Sequence, residues 1–181
     1  MENQPKRTSK LFSRYAYHLY NKYSFNLNDY LTFMKLVIQR CSRASVSIDN
    51  KIVSSIGPGL MVLVGVAVGD TPDDARKLAA KTAALRIFPD SANVMNLSLA
   101  DTGGDVLAVS QFTLLGSTRK GNRPSYVNAA AHDVAIPLYD LYCSELSQIL
   151  GKEVKKGVFG ADMQVELIND GPVTILYDTR S

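Results

Sequence analysis

The fold is decided by a wholly apolar run, Leu60-Met61-Val62-Leu63-Val64-Gly65-Val66, in the first half of the chain. It follows the turn Ile56-Gly57-Pro58-Gly59 and precedes Thr71-Pro72-Asp73-Asp74. A run without polar positions is typical of a β-strand that is covered on both faces. Thr71 can cap a helix, Pro72 suits the first helical position, and the aspartates favour the positive end of the helix dipole. The segment therefore predicts a buried strand followed by a helix.

Similar patterns predict the other elements. Residues 44–48 alternate apolar and polar side chains, as a half-buried strand does, and a second amphipathic helix begins at about Asp133 and ends before Gly151. The predicted strands are 35–41, 44–48, 60–66, one that ends at 110–111, 163–168 and 173–177. The order β-β-β-α-β-α-β-β indicates an α/β fold, a single domain in which two amphipathic helices pack on a mixed or antiparallel sheet.

The composition is that of a globular protein and excludes several classes. The 181 residues are 46% hydrophobic and 20% charged, and no apolar run approaches the roughly 18 residues of a membrane span, so no membrane partner is expected. The two cysteines, Cys41 and Cys143, form no CxxC or metal-spaced pair. We expect them to be reduced and buried, as in an intracellular protein.

Residues 1–33 differ in composition from the rest of the chain. They hold five of the 20 basic and two of the 17 acidic side chains, which leaves 15 of each sign in the remainder, and they are rich in aromatic residues. We therefore predict a basic, aromatic-rich extension outside the core and a domain spanning 34–181. Because the two signs of charge balance in that domain, its net charge does not indicate nucleic-acid binding. A cytoplasmic location is expected, with mitochondrial targeting by residues 1–33 as the alternative.

Two short polar segments stand at the ends of predicted strands. Ser110-Gln111-Phe112-Thr113-Leu114 follows the apolar residues 106–109, and Asn169-Asp170-Gly171-Pro172-Val173-Thr174 follows 165–168. Binding sites tend to be built on such strand ends. A glycine lets a ligand approach the backbone closely, and proline fixes φ. The two segments are therefore the candidate site.

The usual catalytic groups are scarce. His132 is the one histidine of the main body, and we expect it to be a cap or surface residue at the start of the second helix. Neither a zinc site nor a Ser-His-Asp arrangement is easily assembled, and there is no Walker or dinucleotide motif. No metal or cofactor is expected. Asp73 and Asp74 are interpreted as helix-start residues.

Ser110 and Thr113 could each be a nucleophile or a simple hydrogen-bonding group. Strand alternation predicts that Ser110 and Phe112 face one way and that Gln111 and Thr113 face the other. If the chain is an enzyme, these residues supply positioning rather than proton transfer.

The two segments closely resemble the signature motifs of the D-aminoacyl-tRNA deacylases, which have the forms SQFTL and NxGPxT. Both are intact here and occur in the family's order. The likeness covers Met34 to the C-terminus and leaves 1–33 unmatched. It extends through residues 37–40, 43–46, 86–88, 95–97, 123–126 and 161–165.

The resemblance implies a homodimer that hydrolyses the ester linking a D-amino acid, or glycine mischarged on tRNA(Ala), to the 3′-terminal adenosine of tRNA. In that family the Gly-Pro peptide is cis and enters the partner's active site. Gly171 and Pro172 would form a backbone filter that rejects L-aminoacyl groups. Asn169 and Thr174 would flank this filter, and Arg40 would orient it.

The resemblance also assigns the rest of the site. Ser110, Gln111, Phe112 and Thr113 would line the catalytic pocket, and Phe159 and Met163 would hold the terminal adenosine. The 2′-hydroxyl of the tRNA would assist catalysis, which explains why a protein base is not needed. Independently of the resemblance, three cations in the loop after the first motif could contact tRNA phosphates near the acceptor end or could simply form a solvated basic loop: Arg119, Lys120 and Arg123.

Two other functions stay open at this point. The first is a nucleic-acid-binding module on the same scaffold with little activity. The second is a conventional Ser/Thr esterase that acts on small molecules.

Overall fold

The computed structural model describes residues 33–179, so the predictions for residues 1–32 lie outside the described part. A mixed six-stranded sheet carries the helices, and a two-stranded hairpin is attached. The predicted fold class is confirmed. The elements are β1 Lys35–Ile48, β2 Lys51–Ile56, β3 Gly59–Gly65, α1 Pro72–Ala84, β4 Phe88–Pro89, β5 Met95–Leu97, α2 Leu99–Thr102, β6 Asp105–Ser110, a 3₁₀ helix Phe112–Leu115, α3 His132–Leu150, β7 Lys155–Lys156 and β8 Gln164–Asp178.

Strand β1 is the hub of the sheet. Its first half pairs with β3 and its second half with β2, both antiparallel, while β8 runs antiparallel to it from Lys35 to Ser47. Strands β3, β6 and β7 are parallel neighbours. The sequence predicted two strands where β1 is continuous, because an irregularity between Cys41 and Arg43 interrupts the alternation. It missed β2 because that strand is mostly exposed and has no apolar period.

The predicted burial of β3 on both faces is confirmed. Leu60, Val62 and Val64 belong to a cluster that also contains the inner faces of α1 and α3. Met61 belongs to a second cluster on the opposite face, with Cys41, Ala44, Val46, Ile56, Leu107 and Val109. Both faces of the strand are therefore packed, which explains why the run has no polar position.

Helix α1 begins as its sequence predicts. The carboxylate of Asp74 accepts hydrogen bonds from the N–H (2.8 Å) and hydroxyl (2.7 Å) of Thr71, and Asp73 forms an ion pair with Arg76 (2.9 Å). Its buried residues include Ala75, Leu78, Ala79 and Thr82. The two aspartates are therefore helix-start residues.

Both cysteines are free and buried, as predicted. Burial raises the pKa of Cys41, and it raises the pKa of Cys143 to about 12, so neither thiol is ionised near neutral pH. Within residues 33–179, no helix has the length and apolar character needed to cross a membrane.

Asp70 ties the beginning of β1 to the turn before α1. Its carboxylate accepts from the backbone N–H groups of Met34 (2.9 Å) and Ala67 (2.6 Å). Burial raises the pKa of this carboxyl from 3.8 to about 6, against the opposing effect of those two hydrogen bonds. The folded protein therefore holds a proton on Asp70 at pH values where the unfolded chain has lost it.

We expect this proton to make stability depend on pH. Because the folded pKa is raised, the free energy of unfolding of the wild type should increase as pH falls through about 6, relative to Asp70→Asn. The increase between pH 7 and pH 5 should be about 1 kcal/mol. Urea denaturation of both proteins at the two pH values measures it. The assignment is contradicted if the free energy of unfolding of the wild type does not rise relative to that of Asp70→Asn between pH 7 and pH 5.

Candidate active site

A cavity of about 550 Å³ lies at the carboxyl ends of the parallel strands β3 and β6. Ligands in α/β sheets bind at this edge, outside the ends of the strands. Its wall is made by the ends of these strands, the 3₁₀ helix, the beginning of α3 and the segment before β8. The lining residues are Val64, Val66, Val109–Phe112, Tyr126, Ala129–His132, Ala135, Tyr139, Phe159–Met163 and Val165.

The first motif turns sharply at the cavity. Strand β6 ends at Ser110, the N–H of Gln111 donates to the carbonyl of Val64 (2.7 Å), and the 3₁₀ helix starts at Phe112. The prediction that strand alternation continues through Thr113 is therefore wrong, because the strand stops first. The side-chain amide of Gln111 donates to Oγ1 of Thr113 (2.5 Å). Thr113 is exposed and does not line the cavity.

The backbone at the start of the 3₁₀ helix supplies donors. The first hydrogen bond of the helix runs from the N–H of Leu114 to the carbonyl of Gln111 (3.3 Å). The N–H groups of Phe112 and Thr113 precede it, and a helical turn does not use the N–H groups of its first residues. Phe112 itself lines the cavity, 56% exposed, with its ring packed edge-on against Tyr126 (centroids 5.0 Å apart). The turn therefore leaves two backbone N–H groups unused, and one of them belongs to the cavity-lining residue Phe112.

The other end of the cavity is aromatic. Phe159 packs edge-on against His132 (5.6 Å) and against Tyr139 (5.9 Å), and the hydroxyl of Tyr139 donates to the carbonyl of Ala108 (2.9 Å). Met163 lines the same cavity. A Cβ atom on Gly157 would lie 2.7 Å from Sδ of Met163, so any side chain at this position would displace the end of the Met163 side chain. The structure thus brings Phe159 and Met163 together with the first motif.

The second motif is a bulge in β8. Between the paired positions Gln39–Thr174 and Cys41–Asn169, β1 advances by two residues and β8 by five. The extra residues include Gly171 and Pro172, which are exposed and joined by a cis peptide bond. Gly171 has a φ of +133°, and a Cβ atom there would lie 2.7 Å from Cγ2 of Val173. Only glycine fits this position without strain.

Three side chains hold the bulge in shape. Oδ1 of Asn169 accepts from the N–H of Val173 (2.7 Å), while its Nδ2 donates to the carbonyl of Val173 (3.2 Å) and to Oγ1 of Thr174 (3.1 Å). Arg40 is buried, and its Nε donates to the carbonyl of Asp170 (3.0 Å) and pairs with that residue's carboxylate (3.2 Å). Its Nη1 donates to the carbonyl of Ile87 (2.5 Å). The Asn and Thr of the motif therefore shape the backbone.

The two motifs do not share one cavity within the chain. The cavity lining contains Ser110, Gln111 and Phe112, but neither the Gly171–Pro172 bulge nor Arg40. Of the site residues proposed from the sequence, Ser110, Gln111, Phe112, Phe159 and Met163 line the cavity, whereas Arg40 and the residues of the second motif do not. No group of His, Cys, Asp or Glu side chains in residues 33–179 could hold a metal ion.

The basic residues after the first motif lie on an exposed loop. Backbone hydrogen bonds of 2.9 Å in both directions between Ser117 and Ser125 close its base. Arg119, Lys120 and Arg123 are exposed on this loop, and none of them lines the cavity. Their contact with phosphates stays a prediction.

Sequence reasoning missed several cavity residues. Tyr126, Tyr139 and Asp162 line the cavity, as does His132, which was expected only at the helix start. His132 is indeed the first residue of α3. The aromatic character of this end was visible in the sequence, but the packing that gathers it was not.

Comparison with known sequences gives consistent matches. The family model described as D-Tyr-tRNA(Tyr) deacylase matches residues 37–178. A D-aminoacyl-tRNA deacylase of Porphyromonas gingivalis is 57% identical over 148 residues, which cover 82% of this chain and 99% of that protein. One of Akkermansia muciniphila is 56% identical over 147 residues, 81% of this chain and 98% of that protein.

Solved structures share the fold. A structure titled c-Myc DNA Unwinding Element Binding Protein is 37% identical, with a TM-score of 0.75, over 79% of this chain and 97% of that one. A probable eukaryotic D-amino acid tRNA deacylase has a TM-score of 0.71 over 81% of this chain and 100% of that one. At 21% identity, the second supports the fold alone.

We expect Gly171→Ala to destabilise the protein more than Gly69→Ala does. Both glycines have positive φ, but a Cβ atom at Gly69 has no neighbour within 4 Å, whereas at Gly171 it meets Val173 and Arg40. Backbone strain alone costs about 1–3 kcal/mol, and the clash adds to it only at Gly171. Urea denaturation of the two variants measures the difference. Equal losses would show that the bulge yields to the added methyl group.

Proposed function

The chain belongs to the D-aminoacyl-tRNA deacylase family. From that membership and from the geometry of the cavity, we propose how the chain removes wrongly attached amino acids from tRNA. The substrates are tRNAs that carry a D-amino acid, or glycine mischarged on tRNA(Ala). The chain hydrolyses the ester at their 3′-terminal adenosine. The observation that carries the proposal is the cavity that joins the intact first motif to the aromatic end containing Phe159 and Met163.

The two ends of the cavity suit the two parts of the substrate. The terminal adenosine binds against Phe159 and Met163, since stacking of a base on an aromatic side chain contributes about 1–3 kcal/mol. The aminoacyl ester then lies toward Ser110, Gln111 and Phe112, at the end of β6.

Catalysis rests on positioning and on backbone donors. The N–H groups of Phe112 and Thr113 stabilise the oxyanion that forms when water adds to the ester carbonyl. The tRNA 2′-hydroxyl next to the ester assists the attacking water, and the 3′-oxygen leaves. The hydroxyl of Thr113 has a supporting role: it lies outside the cavity lining and accepts a hydrogen bond from the cavity residue Gln111 at 2.5 Å.

The filter comes from a second copy of the chain. Gly171 and Pro172 are exposed and lie outside the cavity of their own chain, so one complete site needs the bulge of a partner subunit. Strand β8, which carries the bulge, also exposes Val165, Ile168 and Leu176. Apolar side chains exposed along one strand support a homodimer interface there. In the dimer, the carbonyl groups of Gly171 and Pro172 face the aminoacyl group and exclude an L-side chain.

Contacts with the rest of the tRNA come from the loop that bears Arg119, Lys120 and Arg123. These side chains follow the first motif directly, so they reach phosphates near the acceptor end. We also propose that the deacylase domain spans residues 34–181 and that residues 1–33 form an extension outside it. The proposed location of the protein is the cytoplasm.

Binding of nucleic acid without hydrolysis is the second candidate function. It is favoured by the 37% identical structure whose title describes a DNA-unwinding-element binding protein. A small-molecule esterase that uses Thr113 is disfavoured because Thr113 does not line the cavity.

Release of D-tyrosine from D-Tyr-tRNA separates these functions. We expect the wild type and Thr113→Ala to retain hydrolysis within about tenfold of each other, since Thr113 is not the nucleophile. A substrate that lacks the terminal 2′-hydroxyl should lose at least about 100-fold in rate, the scale of a lost acid–base contribution.

The opposite pattern identifies the alternatives. Loss of activity in Thr113→Ala, with the 2′-deoxy substrate still cleaved, supports the esterase. Binding of tRNA or DNA by a wild type that hydrolyses no aminoacyl-tRNA supports the binding module.

We expect Arg40→Lys to weaken chiral discrimination. Lysine keeps the charge but cannot donate simultaneously to the carbonyls of Asp170 and Ile87 in the geometry of a guanidinium group. The bulge should lose orientation, and the ratio of D-Tyr-tRNA to L-Tyr-tRNA hydrolysis should fall by about tenfold or more, for a loss of at least about 1.4 kcal/mol. Initial rates with both substrates give this ratio.

Arg43→Lys is the matched control. Arg43 lies on the same strand, and its exposed guanidinium group pairs with Glu166 at 3.7 Å. Its substitution should leave the ratio unchanged, because exposed pairs contribute little. An Arg40→Lys protein with undiminished chiral selectivity would argue against the bulge as the filter.

A further inference from the structure

A right-angled pair of aromatic rings stands at one end of the cavity. The ring centroids of His132 and Phe159 are 5.6 Å apart, with an angle of 86° between the ring planes, and both residues line the cavity. His132 is exposed, and Phe159 is partly buried. A flat group that stacks on Phe159 on the side of His132 lies nearly perpendicular to the imidazole plane, so it turns its edge, and not its face, toward His132. The pair is therefore shaped for a planar ligand that is recognised at its edge.

Both rings are carried by anchored parts of the fold. Phe159 packs against Tyr139, which is buried and donates to the carbonyl of Ala108 in β6 (2.9 Å). His132 begins helix α3, and the chain just before it is tied to the sheet by the hydrogen bond from the N–H of Ala130 to the carbonyl of Val66 (3.0 Å). Recognition groups on anchored elements hold their geometry better than groups on loops.

The imidazole of His132 has polar capacity that the fold does not use. Among residues 33–179, neither ring nitrogen has a hydrogen-bond or ion-pair partner, and the cavity residues next to it in sequence are alanines. A neutral imidazole offers one donor and one acceptor. Adenine carries matching groups on its edges: the 6-amino donor and ring-nitrogen acceptors.

We propose that His132 is a specificity residue that hydrogen-bonds the edge of the terminal adenine while the base stacks on Phe159. The inference rests on the proposed function for placing the terminal adenosine at this end of the cavity. It adds a side chain that selects the base itself, separate from the groups that act on the ester.

Nucleoside binding tests the inference without requiring hydrolysis. Titration calorimetry compares adenosine with three analogues: purine riboside, which lacks the 6-amino group, 1-deazaadenosine and 7-deazaadenosine. The wild type should bind at least one analogue about tenfold more weakly than adenosine, the scale of one lost hydrogen bond. His132→Phe keeps an aromatic ring but has no polar edge. It should bind adenosine about tenfold more weakly than the wild type and should not distinguish that analogue from adenosine.

Two further variants complete the comparison. His132→Ala removes the ring and should weaken all four nucleosides. Val134→Ala changes an exposed side chain of the same helix outside the cavity lining and should match the wild type. The inference is overturned if wild type binds none of the nucleosides, binds all four equally, or shares its selectivity with His132→Phe.

Kinetics separate this inference from the proposed function. With D-Tyr-tRNA, His132→Phe should raise KM about tenfold and change kcat less than about twofold, because base binding is the same in ground and transition states. A fall in kcat at unchanged KM overturns the inference. If wild type hydrolyses no aminoacyl-tRNA, the proposed function fails, and nucleoside selectivity alone decides the role of His132.

Discussion

Backbone pairing of β1 on both of its edges is the constraint on which the rest of the structure depends. Strand β8 runs along one edge, and β3 and β2 share the other. A shift of β1 by one residue would turn its buried side chains away from both core clusters, so its register is fixed from two sides. The positions of both motifs depend on this pairing register of β1. Strand β3 fixes β6 and the cavity at its end, and β8 carries the bulge with Gly171 and Pro172.

The two motifs use side chains mainly to place backbone groups. Gln111 donates to Thr113 at the turn where β6 ends, and Asn169 bonds both backbone groups of Val173 across the bulge. Arg40 reaches the same bulge from β1 through the carbonyl of Asp170. Such a design needs few titratable groups at the reacting centre, in keeping with the scarcity of histidine in the main body. It also explains why Gly171 is required, since a side chain there would displace the groups that define the bulge.

The sequence predicted what local pattern and motif resemblance determine. The apolar run 60–66, the capped start of α1 and the positions of both motifs each follow from a few neighbouring residues. Features set by long-range packing were missed. The irregularity at Cys41–Arg43 hid the continuity of β1, and the 3₁₀ turn after Ser110 ended the alternation that was extended to Thr113. Likewise, Tyr139 and His132 reach the cavity only because α3 packs on the sheet, which no local period encodes.

The separation of the two motifs bears on how selectivity is achieved in the proposed dimer. An attractive pocket distinguishes one methylene by only about 1–3 kcal/mol, whereas steric exclusion by a fixed wall has no such ceiling. A backbone bulge braced by Arg40 and Asn169 can serve as such a wall, because it presents backbone groups rather than a side chain that could change rotamer. Glycine has no side chain for the wall to exclude. In the proposed dimer, a wall that excludes L-aminoacyl groups would leave glycyl-tRNA as a substrate, so one geometric constraint would account for acceptance of both D-amino acids and glycine.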